Sequence, residues 1–315
     1  MRIFVLIFVV SILITTIFVV QGCSGCENKQ SEAFYLIPGA SDVVINVNLE
    51  SVLADVNFQK ALIKKNRYKK DFTSLITYLK TEAGLDISLL KKAAMFIDIS
   101  ESKSMPTSGA LILKGIFDKK KVLEAINKTK KKKAILKESK GYVLIDVNKS
   151  TQVAILGNQY LVIGPVDGVE KVVKKYNGHD GDVNPMLKQI YVTKPGNIFQ
   201  LAAVLPKGFK SEMASTVKNE ELKNIINIVA KLSKAGEKYI LNIAVKCSSN
   251  NAVKIISLGV QGLVLIGKGS KKTGFESLLN KLKITEKGDF LMIDIDVPPE
   301  LLSELIPGSP TVRIP

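Results

Sequence analysis

MFIDIS (residues 95–100), YVLIDV (142–147) and LMIDIDV (291–297) alternate apolar side chains with aspartate. A period of two puts successive side chains on opposite faces of a pleated strand. Each stretch therefore buries one face and turns the other, carrying Asp98, Asp146, Asp294 and Asp296, toward water. Parallel strands, covered on both faces, read as unbroken apolar runs, whereas this alternation belongs to an antiparallel sheet with helices on one side. The fold class is α+β.

Working outward, Val43, Ile45 and Val47 alternate with Val44, Asn46 and Asn48 and predict a strand. Helical spacing follows through Phe58, Ala61 and Leu62, then through Phe72, Leu75, Ile76 and Leu79 up to Gly84. Strands are predicted over 93–99 and 108–116, and a helix capped by Asp118 carries Val122, Leu123 and Ile126. Strands near 142–147, 152–157 and 160–164 lead to a helix from Asp167 to Tyr176. In the second half, a strand at 197–204 precedes a helix through Leu222, Ile225, Ile226, Val229 and Leu232, ended by Gly236. Strands at 238–247 and 252–260 come next, then a helix opened by a Thr273/Glu276 capping box, a strand at 289–296 and a short helix at Pro298-Pro299. The 315 residues exceed one usual domain, and the order of elements recurs, so the reading is a duplicated unit of antiparallel sheet with helices on one face. Its bounds are 37–185 and 186–315.

The first residues say where this body is placed. After Arg2, Ile3 to Val20 is apolar except for Ser11, Thr15 and Thr16, between the length of a signal-peptide core and that of a membrane span. Val20-Gln21-Gly22-Cys23 then resembles the lipobox of bacterial lipoproteins, with Gln21 a departure from its pattern. The resemblance implies loss of residues 1–22 as signal peptide, acylation of Cys23 and a polar tether over 23–36. An uncleaved anchor is the alternative, and both place the body outside the cytoplasm. Ser24 replaces the aspartate linked with inner-membrane retention, so by that analogy the expected site is the outer membrane, facing the periplasm or exterior. Pro38-x-x-x-Asp42, Gly84-x-Asp86 and Gly115-x-Phe117-Asp118 also resemble a group of uncharacterised secreted or lipid-anchored bacterial proteins, over about residues 37–180, and no chemistry comes with that likeness.

The formal charge of +16 invites a nucleic-acid reading. Only Arg2, Arg67 and Arg313 are arginine, however, and bidentate recognition of phosphate and guanine favours arginine. The densest run, Lys128 and Lys130 to Lys133, falls at a predicted helix C-terminus, where cations oppose the dipole. With export, this leaves no nucleic-acid partner.

Catalytic motifs fail on spacing or context. Ser215-x-x-Lys218, Ser248-x-Asn250 and Lys272-Thr273-Gly274 copy the elements of penicillin-binding proteins in order, but too close together for the domain that separates them. Gly262 to Gly269 is a P-loop without the Ser/Thr after Lys268, reading instead as a strand or buried segment before a turn. The loop Asn177 to Asn184 holds oxygen ligands and His179 but no distal glutamate for Ca²⁺. One histidine with Cys26 and Cys247 builds no zinc site, so neither metal nor cofactor is expected. The resulting expectation is a non-enzymatic, membrane-anchored lipoprotein that binds a protein or envelope polymer or serves a structural role, with Asp98, Asp146, Asp294 and Asp296 as its possible binding face. The alternatives are a carrier of an apolar ligand and a glycan hydrolase using two of those carboxylates.

Overall fold

The computed structural model describes residues 32–65, 89–99, 106–128, 135–139, 141–179, 181, 184, 187, 197–268 and 279–302. Twelve strands form one antiparallel sheet. They are β1 (Val43–Asn48), β2 (Lys92–Ile99), β3 (Pro106–Lys114), β4 (Ile135–Ser139), β5 (Tyr142–Asp146), β6 (Thr151–Leu156), β7 (Tyr160–Pro165), β8 (Asn197–Val204), β9 (Ile225–Ala235), β10 (Lys238–Cys247), β11 (Leu282–Lys287) and β12 (Phe290–Val297). The helices are α1 (Leu49–Ala54), α2 (Val56–Lys65), α3 (Lys119–Lys128), α4 (Val166–Tyr176), α5 (Lys207–Val217) and α6 (Asn250–Lys268), with 3-10 turns at Glu32–Leu36, Glu220–Asn224 and Pro299–Leu301.

Across the sheet the order is β11-β12-β10-β9-β8-β1-β2-β3-β7-β6-β5-β4. Read outward from the central β1–β8 pair, β1-β2-β3-β7-β6 on one side answers β8-β9-β10-β12-β11 on the other, and β5 and β4 extend the first side. The central pair runs from Val43 opposite Ala203 to Val47 opposite Phe199.

The period-two reading fixes which side chains go where. Ile45, Val47, Ala93, Leu113, Val153, Leu201, Leu232, Tyr239 and Ile293 point into the larger core. Val52 and Leu53 of α1, Phe58 of α2, Val122 of α3 and Val253 and Ile256 of α6 cover it. The opposite face holds a second core of Val44, Phe96, Ile112, Ala154 and Val162, covered by Val169, Val172 and Val173 of α4 and by Ala33, Phe34 and Leu36 of the first 3-10 turn. One-sided cover thus holds for β10 to β12 among the described residues, while the first half is covered on both faces and Ala202 of β8 and Val229 of β9 also join the second core.

Several local expectations change. The segment expected as a helix through Leu222 to Leu232 is the turn Glu220–Asn224 followed by β9. Ile225, Ile226, Ile228 and Val229 are β-branched and favour a strand, and the pleat buries both faces, Ala230 and Leu232 in the larger core and Val229 in the second. Conversely, 252–260 is not a strand but lies in α6, whose first turn is capped where the Ala252 N–H donates to the Ser249 hydroxyl at 3.2 Å. The P-loop-like Gly262 to Lys268 is therefore helix, neither loop nor strand. Helix α5 and strand β4 had no clear signal, and Leu282, the last apolar position of the helix expected to open at Thr273, instead opens β11. The expected helix through Phe72 to Leu79 and the Thr273/Glu276 box lie outside the described residues. The tether also shortens: Ala33, Phe34, Leu36 and Ile37 are buried, so residues 32–36 belong to the body.

Candidate functional site

Asp98, Asp146, Asp294 and Asp296 do point to the same side of the sheet, opposite the larger core, but the strand order keeps them apart. Four strand spacings separate β2 from β5 and five separate β2 from β12, about 19 and 24 Å at the usual strand separation. Each strand is also rotated by about 20° against its neighbour, so side chains of one face diverge over that span. Only Asp294 and Asp296 are close, about 7 Å apart along one strand.

Each carboxylate has local company. Asp98, 8% exposed, pairs with Lys171 of α4 at 2.6 Å, and its Oδ1 has no hydrogen-bond partner. Asp146 accepts from the Gln152 amide at 2.8 Å and lies 3.2 Å from the Lys137 ammonium. Asp294 accepts from the Asn242 amide across β10 and β12 at 2.6 Å, and Asp296 is exposed. Around this last pair a polar row crosses six neighbouring strands, Lys283-Asp294-Asn242-Lys231-Gln200-Asn46, each residue opposite the next. At its inner end the Asn46 amide donates to Gln200 at 3.3 Å, and both residues are buried. The row is the wet face of β9 to β12.

Sequence reasoning missed Asp55, a heavily bonded carboxylate. It precedes α2 and caps it, accepting on Oδ1 from the Asn57 N–H at 2.9 Å and the Phe58 N–H at 3.2 Å. The same oxygen accepts from the Tyr239 hydroxyl at 2.6 Å, and Oδ2 pairs with Lys234 at 2.5 Å. Burial works to raise the Asp55 pKa, but the hydrogen bonds from Lys234, Tyr239 and the Phe58 N–H outweigh it and hold the carboxyl below its usual range. Burial, helped by that carboxylate, pushes the Tyr239 phenol well up. Phe58 meets the Tyr239 ring edge-on at 5.3 Å. The cluster joins a helix of the first half to the β9–β10 hairpin of the second. The one available signal was Asp55-x-Asn57 before an apolar helical face, a capping pattern.

An open cleft of about 260 Å³ lies beside the β4–β5 hairpin, lined by Lys119, Glu138, Ser139, Tyr142, Val143 and Asn158 among others. Charged, polar and apolar side chains share its lining. Cys247 is a buried free thiol, raised by burial and by Asp289. Among the described residues no three His, Cys, Asp or Glu side chains are placed to hold a metal, and no helix is long and apolar enough to cross a membrane. Of the penicillin-binding-protein triplet, Ser215 lies in α5, Ser248 precedes α6, and Lys272 to Gly274 lie outside the described residues.

No family model matches the chain, and no curated protein matches it. Solved structures do. The chain is similar in fold to TP0453. Crystal form I of that protein aligns at 11% identity and a TM-score of 0.50, covering 88% of this chain and 96% of TP0453. Form III gives 12% and 0.51 over 86% and 96%, and form IV 10% and 0.51 over 86% and 95%. At these identities the likeness to TP0453 is one of fold alone.

Proposed function

We propose that this is a lipoprotein of the bacterial envelope, held by an acylated Cys23, whose body binds a protein or envelope polymer or serves a structural role without catalysis. The observation that carries the reading is the order Val20-Gln21-Gly22-Cys23, a short polar stretch, and then a turn at Glu32–Leu36 whose Ala33, Phe34 and Leu36 are packed into the body. Residues 23–31 reach at most about 30 Å when extended, so the anchor holds the body close to the bilayer. One acyl chain binds a membrane only marginally, and additional chains make attachment stable. A non-catalytic role is supported by the carboxylates themselves. Asp55 clamps a helix, Asp98 and Asp146 are tied to lysines, and Asp294 is tied to Asn242. Carboxylates on β2, β5 and β12 lie much farther apart than the roughly 5–9.5 Å of a glycosidase pair. Asp294 and Asp296 have that spacing, but no described element stands over them to form a cleft. By the Ser24 analogy the outer membrane is the proposed location.

The test is mass spectrometry of the mature N-terminus with membrane fractionation. The expected result is a chain starting at acylated Cys23, and Cys23→Ser is expected to stay unprocessed and unacylated. Normal processing and partitioning of Cys23→Ser would overturn the lipoprotein reading.

A further inference from the structure

Helix α4 ends on Asn177-Gly178, and nowhere else in the 315 residues does glycine follow asparagine. Asn177, Gly178 and His179 are all exposed. The Asn177 N–H closes the helix on the Val173 carbonyl at 3.0 Å. Beyond it the Gly178 N–H donates to the Lys175 carbonyl and the His179 N–H to the Lys174 carbonyl, each at 3.0 Å, with Gly178 at φ +78°. Two such bonds around a left-handed glycine make a Schellman helix end. It is a light fastening. A Cβ built on Gly178 would meet nothing within 4 Å, and among the described residues none holds the Asn177 side-chain amide.

Only C, Cα and Cβ of Asn177 separate its Cγ from the Gly178 nitrogen, so a bond between those two atoms closes a five-membered ring. Glycine offers the least crowded backbone nitrogen, because it has no Cβ. While the helix end is closed that nitrogen is turned to Lys175 and its N–H is in use. Helix ends open at little cost where water can take up the released groups, and here every residue of the end is exposed.

We propose that Asn177 is a site of spontaneous covalent modification, gated by opening of the α4 end, which converts it to isoaspartate and unties that end. Once the two bonds open, a solvent base removes the Gly178 N–H proton and the nitrogen attacks the Asn177 Cγ. The N–Cγ bond forms, the bond from Cγ to the side-chain nitrogen breaks, and ammonia leaves. Water then opens the cyclic imide; attack at the former backbone carbonyl leaves the chain running through Cγ, with nothing oxidised or reduced. The product has one more backbone atom and a carboxylate at the negative end of the helix dipole. The Gly178 and His179 N–H groups then no longer reach Lys175 and Lys174 together, and Tyr176, which lies beside Gly141 and Gly157, loses its fixed neighbour. The proposal rests on neither the lipid anchor nor the binding role.

The full chain in detergent is aged in mildly alkaline buffer and mapped by mass spectrometry with electron-transfer fragmentation, which separates isoaspartate from aspartate. Acid is expected at residue 177 at least about tenfold faster than at any other asparagine, since no other precedes a residue without a Cβ. Isoaspartate is expected in excess over aspartate. A peptide covering residues 174–181 lacks the gate, and its rate is expected to exceed that of the folded chain by the factor that protects the Gly178 amide from hydrogen exchange. The aged chain is expected to lose that protection at Gly178 and His179, whereas Asn177→Gln, which would need a larger ring, is expected to keep it. Should that variant fail to fold, the comparison of peptide with native chain still decides. No acid at residue 177 after the peptide has converted and the Gly178 amide has exchanged would overturn the proposal, as would conversion spread evenly over the asparagines. An aged chain that carries isoaspartate yet keeps both amides protected would overturn the untying.

Discussion

One carboxylate does the work of three at Asp55. It satisfies two N–H groups at the start of α2, receives the Tyr239 hydroxyl and neutralises Lys234. Removing it as Asp55→Ala takes away a helix cap and leaves the buried Tyr239 hydroxyl without its acceptor, an expected loss of about 2–4 kcal/mol. Tyr239→Phe keeps the ring against Phe58 and deletes one bond to a charged group, an expected loss of about 1.5–3 kcal/mol. Urea unfolding of both variants checks the order, and a Tyr239→Phe that costs more than Asp55→Ala would contradict it. Because the Asp55 pKa is lowered by folding, its contribution is fully present above the unfolded carboxyl value near 3.9 and disappears as pH falls through the lowered folded value. Native stability is therefore expected to fall more steeply below about pH 4 than that of Asp55→Asn, and parallel profiles would exclude the clamp. A side chain meeting its partners 179 and 184 positions away is invisible in sequence; what shows is the cap, because capping is local.

Elements divide along the same line between local and distant causes. The Asp146 and Asp294 strands were legible because one buried face enforces a period of two, whereas the Asp98 strand is buried on both faces and Asp98 is not turned to water. Ile225 to Leu232 was not legible, because Ile225, Val229 and Leu232 make a helical stripe, whereas in the pleat Val229 faces the second core and Leu232 the larger one, and the choice falls to β8 and β10 on either side. The 252–260 segment failed in the opposite direction: its core-facing stripe of Ala252, Val253, Ile256 and Val260 is blurred by Leu258, which remains exposed on α6, and its β-branched residues favour a strand. Packing of α4 on the sheet depends on glycine. A Cβ on Gly168 would lie 2.1 Å from the Gly109 carbonyl oxygen, and one on Gly164 would lie 2.7 Å from the same atom. Backbone stands in the way on the strand side, so Gly168→Ala is expected to lift α4 and cost about 1–3 kcal/mol or more. Near-ultraviolet circular dichroism around Tyr176, which contacts the hairpin glycines from the end of α4, reports the displacement. An unchanged melting temperature for Gly168→Ala would show that α4 is not seated so closely.

At the scale of the whole molecule, the central β1–β8 ladder makes the two halves one object. Their repeated strand order meets at five registered pairs, and the Asn46–Gln200 bond sits within them, buried, with the Asn46 Oδ1 left without a partner. Sequence pattern does not convey this seam, since nothing in Val43 to Asn48 names Asn197 to Val204 as its neighbour. The Asp55 clamp crosses the same division from above the larger core, so ladder and clamp couple the halves in parallel. A perturbation in one half should therefore spread. Asp55→Asn weakens a contact of α2, in the first half, and is expected to accelerate hydrogen exchange in β9 and β10 as much as in α2 while leaving a single unfolding transition. If only α2 loses protection, or if unfolding splits into two steps, each half carries its own stability and the seam is a contact between neighbours rather than the centre of one sheet.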